Sequence, residues 1–174
     1  AIPGPPRGNP ADIVLSESLA EETTVLTNAG FEDPERGVMN LKRIAGEGES
    51  RELFAALVVL AWEHLLKTSD PDMALNNWER FTREVGDRAN FFRELLSQPR
   101  RLELMLRIFS GSQFLSDTLI QNPGFLSWIT EPKVVLRRRD QRVMESELLD
   151  GDPPTSRGDW LNRMRSFRKR EILR

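Results

Sequence analysis

The sequence contains no cysteine and a single histidine, His64. Without thiols, the chain can form neither a disulfide framework nor a thiolate metal site, and one histidine cannot supply a histidine-rich metal cluster. No apolar run approaches the roughly 20 residues that a membrane-spanning helix needs. The start of the chain lacks the charged-then-apolar layout of a signal peptide. These absences favour a cytoplasmic protein that does not contact a membrane.

Strand signals are also scarce. Two Val-Val-Leu runs come nearest, but the run at 58–60 lies inside a helical stretch and the run at 134–136 is too short for more than an edge strand. Without strands there is no doubly wound sheet, no glycine-rich phosphate turn after a strand and no nucleophile elbow. The sequence therefore predicts an all-α fold, a multi-helix bundle or array with essentially no β-sheet.

Charge is plentiful but unevenly placed along the 174 residues. Residues 133–174 hold 12 basic and 7 acidic side chains, whereas residues 1–132 hold 13 basic and 20 acidic ones. A basic tail can contact nucleic acid or phosphate, and such binding would depend steeply on salt. No aromatic interleaving or glycine-rich loop accompanies this charge, so solvated helix faces are the preferred interpretation and nucleic acid is not an expected partner.

Helices separated by short turns fill the stretch 69–131, around which the chain is organised. Asp33-Pro34, Asp70-Pro71, Gln98-Pro99 and Asn122-Pro123 each place a cap candidate before a proline at the first helical position, although Gln98 is a poor cap and Ser97 is its alternative. The further predicted caps are Ser50, Asp87 and Ser112. Apolar periodicity predicts helices within 16–28, 34–45, 50–67, 70–85, 88–96, 99–110, 112–121, 123–129, 140–149 and 159–174.

The densest apolar positions predict the core. We expect burial of Leu57, Leu60, Trp62, Leu75, Trp78, Phe81, Leu95, Leu106, Phe109, Phe114, Leu115 and Trp128. The predicted domain organisation is a proline-rich, flexible segment at 1–15, a helical bundle at 16–132, a weakly structured connection at 133–158 and an amphipathic, arginine-rich helix at 159–174. That last helix is expected to dock on the bundle through Trp160 and Phe167.

Several residues are candidates for chemistry, and each has a simpler explanation. Asp70-Pro71-Asp72 and Asp150-Gly151-Asp152 match the paired aspartates that hold Mg²⁺, but the first begins a helix and the second lies in a Pro/Gly loop. His64 lies near the C-terminal end of its helix, where a protonated imidazole would interact favourably with the helix dipole. Asn76 and Asn77 sit in mid-helix, either exposed or bonded to a neighbouring loop. The sequence therefore predicts no catalytic, cofactor-binding or metal residue in this chain.

Three segments carry a resemblance to a known family. They are A-L-N-N-W-E-R-F (74–81), G-S-Q-F-L-S-D-T-L-I-Q-N-P-G-F-L-S-W-I (111–129) and F-R-K-R-E-I-L-R (167–174). Together they resemble the N-terminal helical region of the glutamine synthetase adenylyltransferase/adenylyl-removing enzymes, over roughly residues 30 to 174. In that family the arginine-rich helix leads into a nucleotidyltransferase domain with a Gly-Ser motif and a strand bearing paired aspartates. Gly111-Ser112 is not that motif, because no such strand follows it.

The resemblance implies a non-catalytic helical portion of a bacterial enzyme that regulates nitrogen assimilation, with the catalytic domain absent from this chain. The parent enzyme would use ATP and Mg²⁺, with glutamine synthetase and a PII-type signal protein as partners and the nucleotidyltransferase domain as neighbour. The alternative is a free-standing helical interaction module without enzymatic activity. The proline-rich start and the uncapped final helix favour a fragment.

Overall fold

The computed structural model describes residues 9–16, 19–131, 134 and 141–174. Helices hold well over half of these residues and none of them lies in a strand, so the all-α prediction is confirmed. Of the second Val-Val-Leu run only Val134 is described, and it is helical. None of the described helices is both long and apolar enough to cross a membrane.

Eleven helices are seen in the described part of the chain. Their bounds are α1 Pro10–Leu15, α2 Leu19–Asn28, α3 Pro34–Ala45, α4 Glu49–Leu66, α5 Pro71–Glu84, α6 Arg88–Ser97, α7 Pro99–Gly111, α8 Gln113–Gln121, α9 Phe125–Ile129, α10 Gln141–Leu149 and α11 Arg157–Leu173. The chain divides into two compact units, Ala1–Pro123 and Gly124–Arg174. The division falls before the boundary at 132 that the sequence predicts. The predicted connection at 133–158 contains α10.

Four of the predicted helix caps are confirmed. In each, the side-chain oxygen accepts a hydrogen bond from the backbone N–H three residues further on, which satisfies one of the free donors of the first turn. The caps are Asp33, Asp70, Asp87 and Ser112. Two of them precede proline, whose fixed φ and missing N–H suit the first helical position.

The other predicted caps are wrong. Ser50 already lies inside α4, and its hydroxyl donates to the carbonyl of Ala45 at 2.8 Å. Asn122 donates to the carbonyl of Thr118 at 2.8 Å, so it closes α8 instead of opening α9. Gln98 makes no capping bond, and the Ser97 hydroxyl donates backwards to Glu94. Serine and asparagine side chains can either donate or accept a hydrogen bond, and the local backbone geometry determines which they do. A cap prediction based only on sequence spacing does not include that geometry.

The predicted flexible segment at 1–15 is wrong for residues 10–15, which form α1. Asn9 caps this helix, Ile13 and Val14 are buried, and Arg51 of α4 donates to the carbonyls of Val14 and Leu15. Pro10 marks the first turn of a helix here, a position that proline tolerates. Residues 1–8 lie outside the described residues.

Helix α5 is the centre of the first unit, packing against α3, α4, α7 and α8. Its Trp78 meets the Phe54 ring edge-on at 5.3 Å, and its Phe81 lies 5.7 Å from Phe109. Burial is confirmed for the predicted residues Leu57, Trp62, Leu75, Trp78, Phe81, Leu95, Leu106 and Phe109. This aromatic and leucine core holds the two helices that carry the candidate site.

Four of the predicted core residues are not fully buried. Leu60 is 48% exposed and Phe114 is 63% exposed, so both predictions are wrong, while Leu115 and Trp128 are half-buried. Leu60 belongs to a helix that is apolar nearly all round but covered on one side only. Phe114 lies in the first turn of α8 and faces away from α5 and α7.

Candidate functional site

One buried amide joins three helices at the centre of the first unit. Asn77 on α5 is 1% exposed. Its Nδ2 donates to the carbonyl of Phe109 on α7 at 3.0 Å and to Gln113 Oε1 on α8 at 3.2 Å. Its Oδ1 accepts from Gln113 Nε2 at 3.1 Å and from Arg80 Nη1 at 3.0 Å. This amide uses both donors and both lone pairs, the condition under which burying it costs little.

A charged pair extends this polar network towards solvent. Arg80 Nη1 lies 2.8 Å from Asp117 Oδ1, and Gln113 Nε2 donates to the same oxygen at 2.9 Å. The hydrogen bond from Gln113, followed by that from the Arg80 guanidinium, holds the pKa of Asp117 below its usual value. Asn77, Arg80, Gln113 and Asp117 therefore form a closed polar network that ties α5 to α8.

A second amide pair ties α5 to α3. Asn40 Nδ2 donates to Asn76 Oδ1 at 2.8 Å. The predicted exposure of Asn76 and Asn77 is therefore wrong: Asn77 is buried and Asn76 is half-buried. The alternative prediction was a bond to a neighbouring loop. Both amides do bond to neighbouring parts of the chain, but their partners lie on helices α3, α7 and α8.

Sequence reasoning missed Arg80, Gln113 and Asp117. The available signal was spacing, because Asn77 and Arg80 are three apart and Gln113 and Asp117 four apart, which puts each pair on one helix face. Two of the segments that carry the family resemblance meet in this network, since the first pair lies in 74–81 and the second in 111–129. Their bonds to one another fix helix positions, and no hydroxyl or thiol nucleophile is among the four.

The aspartates of the first Asp-x-Asp match are occupied by the backbone. Asp70 caps α5 at Met73 N, 2.7 Å away. The Asp72 oxygens accept from the N–H groups of Glu32 and Asp33 at 2.9 and 3.1 Å. Asp72 therefore secures the turn before α3. Both carboxylates serve the fold.

The second Asp-x-Asp match lies in the loop between α10 and α11. Asp150 accepts a hydrogen bond from Gly151 N at 3.0 Å, and the backbone carbonyl of Asp152 accepts from Arg163. Both side chains are exposed. Among the described residues, no three His, Asp or Glu side chains gather in a way that could hold a metal ion.

His64 is half-buried near the end of α4, as the helix-end interpretation expects. It lines a cleft of about 430 Å³ together with Ser69 and Ser110. The Ser69 hydroxyl donates to the carbonyl of Ser110 at 3.2 Å, and the Ser110 hydroxyl donates to the carbonyl of Arg107 at 3.3 Å. Neither hydroxyl donates its proton to the imidazole, so the cleft holds no serine–histidine pair.

Helix α11 packs on α9 and α10 in the second unit. The Arg170 guanidinium lies over the Trp128 ring, 5.5 Å from its centre, a cation–π contact. Leu173 is buried, while Trp160 and Phe167 are only half-buried. The other apolar residues of this helix, Leu161, Met164 and Ile172, are exposed. Docking through Trp160 and Phe167 on the bundle of 16–132 stays a prediction.

We expect Asn77→Ala to lower the free energy of unfolding by about 1–3 kcal/mol, because it leaves the Phe109 carbonyl and the Gln113 amide without their buried partner. Asn76→Ala is the matched control. It removes one half-buried bond and should cost about 0.5–1.5 kcal/mol. Urea unfolding of both variants measures the difference. A smaller loss for Asn77→Ala than for Asn76→Ala would contradict the network.

Asp117 should make stability depend on acid. Its pKa in the folded state lies below the usual 3.8, so its bonds stabilise the fold above that pH and the stabilisation disappears as pH falls through the folded value. Urea unfolding of the parent chain and of Asp117→Asn across the acid range measures this. The gap between the two proteins should close at low pH. A gap that stays constant would show that the Asp117 charge contributes nothing.

No protein-family model matches this chain, and no solved structure matches it. Curated relatives do match. A protein of Bifidobacterium longum strain DJO10A is 24% identical over 164 residues, which cover 93% of this chain and 15% of the relative. One of Corynebacterium efficiens is 26% identical over 152 residues, covering 83% and 14%. One of Thioalkalivibrio sulfidiphilus is 21% identical over 182 residues, covering 98% and 19%.

All three relatives are bifunctional glutamine synthetase adenylyltransferase/adenylyl-removing enzymes. This chain is a distant homologue of a region of these enzymes. It spans about 15% of the length of the Bifidobacterium relative. The homology confirms the resemblance to this family of enzymes.

Proposed function

We propose that this chain is a non-catalytic helical portion of a glutamine synthetase adenylyltransferase/adenylyl-removing enzyme. The observation that carries the proposal is the match itself, which covers 93% of this chain but only 15% of the relative. A region of that size accounts for one domain of a much larger protein. The all-helical fold supports the same proposal, because nucleotidyl transfer in this family is expected on a sheet.

The bonding of the aspartates supports a non-catalytic role. Nucleotidyl transfer uses carboxylates held rigidly around Mg²⁺. Asp70 and Asp72 bond to backbone N–H groups at 2.7–3.1 Å, and turning them to a metal would uncap α5 and release the turn before α3. The Asp150 loop offers no rigid element. ATP and Mg²⁺ would then bind the neighbouring nucleotidyltransferase domain of the parent enzyme.

The proposed role is to position that domain and its partners. The Asn77 network joins α5, α7 and α8 by hydrogen bonds. These bonds keep the three helices in fixed relative positions, so that their exposed residues form a rigid surface for a partner. Glutamine synthetase and a PII-type signal protein are the proposed partners of the parent enzyme. The parent would attach AMP to glutamine synthetase or remove it.

A free-standing helical interaction module is the alternative, and the self-contained core around Trp78 and Phe54 favours it. Sequencing the gene beyond the codon for Arg174 distinguishes the two. A Gly-Ser motif followed by a strand with paired aspartates, within the next ~100 codons that a typical domain occupies, supports the proposal. An open reading frame without that motif would favour the free-standing module.

A further inference from the structure

Helix α4 is apolar nearly all round, yet its own unit covers only part of it. Leu57 and Val58 are completely buried, whereas Val59 is 44% and Leu60 48% exposed. A helix that is apolar on every side is typical of a protein interior, because apolar surface left in water costs free energy. The uncovered side of α4 therefore indicates a partner that lies outside the first unit.

Five exposed residues make up this side of α4: Glu52, Ala56, Val59, Leu60 and Glu63. With about 3.6 residues per turn, they lie within about 100° of one another around the helix. The two acids stand at the ends, about 16 Å apart along the helix axis, and the three apolar side chains lie between them. We call these five residues the α4 face. Helices α1, α3 and α8 each expose one large apolar side chain, whereas α4 exposes two adjacent ones.

The charges of the α4 face determine which partner fits it. Two copies of the face would place carboxylates against carboxylates, which disfavours self-association. A complementary partner is an amphipathic helix with apolar side chains between two basic residues, at the same spacing of about 16 Å. An apolar centre with a charged rim is the general layout of a protein–protein contact.

Existing contacts leave the two acids available to such a partner. Lys67 Nζ lies 3.5 Å from Glu63 Oε2, but both side chains are more than 70% exposed, and surface pairs of this kind contribute little. Within the part of the chain that the structure describes, Glu52 takes part in no ion pair. Both ends of the α4 face can therefore accept a base.

We infer that the α4 face binds an amphipathic helix with basic ends that belongs to the rest of the parent enzyme. The inference rests on the proposed function, because it takes this chain as a portion of a longer protein. The chain spans about 15% of the length of the Bifidobacterium relative, so most of such a protein lies outside it. That remainder supplies the partner helix, and its docking buries Val59 and Leu60.

Thiol labelling tests this docking, because the chain contains no cysteine of its own. Leu60→Cys places a thiol in the α4 face, and Met39→Cys on α3, where the native residue is 47% exposed, is the matched control. Each variant is made in the isolated chain and in the complete protein encoded by the same gene, and mass spectrometry follows labelling of the variant peptide. Both thiols should react at similar rates in the isolated chain. In the complete protein, Leu60→Cys should react more slowly by about tenfold or more, and Met39→Cys should be unchanged.

Three labelling results would overturn the inference. If Leu60→Cys reacts as fast in the complete protein as in the isolated chain, the face stays uncovered, while the proposed function is untouched. If it is already protected in the isolated chain, this chain covers its own face. If Met39→Cys is slowed as much as Leu60→Cys, the protection is not specific to α4. A gene that encodes no further domain would overturn the proposed function and this inference together.

Charge reversal tests the basic ends of the partner helix. In the complete protein that carries Leu60→Cys, Glu52→Arg with Glu63→Arg should restore most of the labelling rate of the isolated chain, because like charges then meet. Glu52→Gln with Glu63→Gln, which only removes the charges, should give an intermediate rate. Glu32→Arg with Glu84→Arg reverses two exposed charges outside the α4 face and should leave the thiol protected. Urea unfolding of the isolated variants checks that each one folds. Protection that survives both Glu52 and Glu63 substitutions would overturn the assignment of a basic partner.

Discussion

Replacing Trp78 by alanine is expected to lower the free energy of unfolding by about 3–5 kcal/mol, the cost of emptying a large core position. Trp78 is completely buried on the central helix and packs edge-on against Phe54 at 5.3 Å. Its Nε1 is buried without a hydrogen-bond partner, so Trp78→Phe, which keeps a ring and removes that N–H, should cost clearly less. Urea unfolding followed by circular dichroism measures both.

Phe114→Ala is the control for this prediction. The sequence predicts a core position for Phe114, yet the structure leaves it 63% exposed. We expect a change within about 0.5 kcal/mol, as for surface positions in general. A loss below about 1 kcal/mol for Trp78→Ala, or a larger loss for Phe114→Ala, would show that the faces of α5 and α8 are wrongly assigned.

Gly37→Ala should destabilise the chain, although alanine is the better helix former. The gain in helix propensity is about 1 kcal/mol. A Cβ at position 37, however, would collide with Cδ2 of Leu26, a residue of α2 that is completely buried and has no open space to move into. Overpacking typically costs about 1–3 kcal/mol, so we expect a net loss, measured as a lower midpoint of urea unfolding.

Gly111→Ala supplies the matched control in α7. A Cβ there would meet no atom within 4 Å, so the propensity gain should appear without a packing cost. The stability should be unchanged or raised by up to about 1 kcal/mol. If Gly37→Ala stabilises as much as Gly111→Ala, then Leu26 can move aside and α2 is not tightly packed on α3.

Helix starts could be predicted from the sequence where a cap depends only on residues within one helical turn. An Asp before a proline, as at Asp33 and Asp70, fixes a cap and a first turn within three residues, and the structure confirms both. Asn122 has the same pattern and fails, because its amide can donate as well as accept and finds the Thr118 carbonyl first. A carboxylate at such a position has no such choice.

Burial and the polar network depend on tertiary contacts, and the sequence predicted them only in part. Leu57 and Leu60 are equally apolar on α4, but neighbouring helices cover only the side that carries Leu57. Asn77 is a mediocre helix former, and the exposure prediction follows from that alone. Its burial depends on the Phe109 carbonyl and Gln113, which are more than 30 residues away in sequence.

Transfer of labelled AMP tests most directly whether this chain is a non-catalytic portion of a longer adenylyltransferase. The purified chain is incubated with glutamine synthetase, Mg²⁺ and labelled ATP, beside the complete protein encoded by the same gene. We expect the complete protein to label glutamine synthetase and the isolated chain to leave it unlabelled. Labelling by the isolated chain that is lost in Asp70→Ala or Asp150→Ala would contradict the proposal.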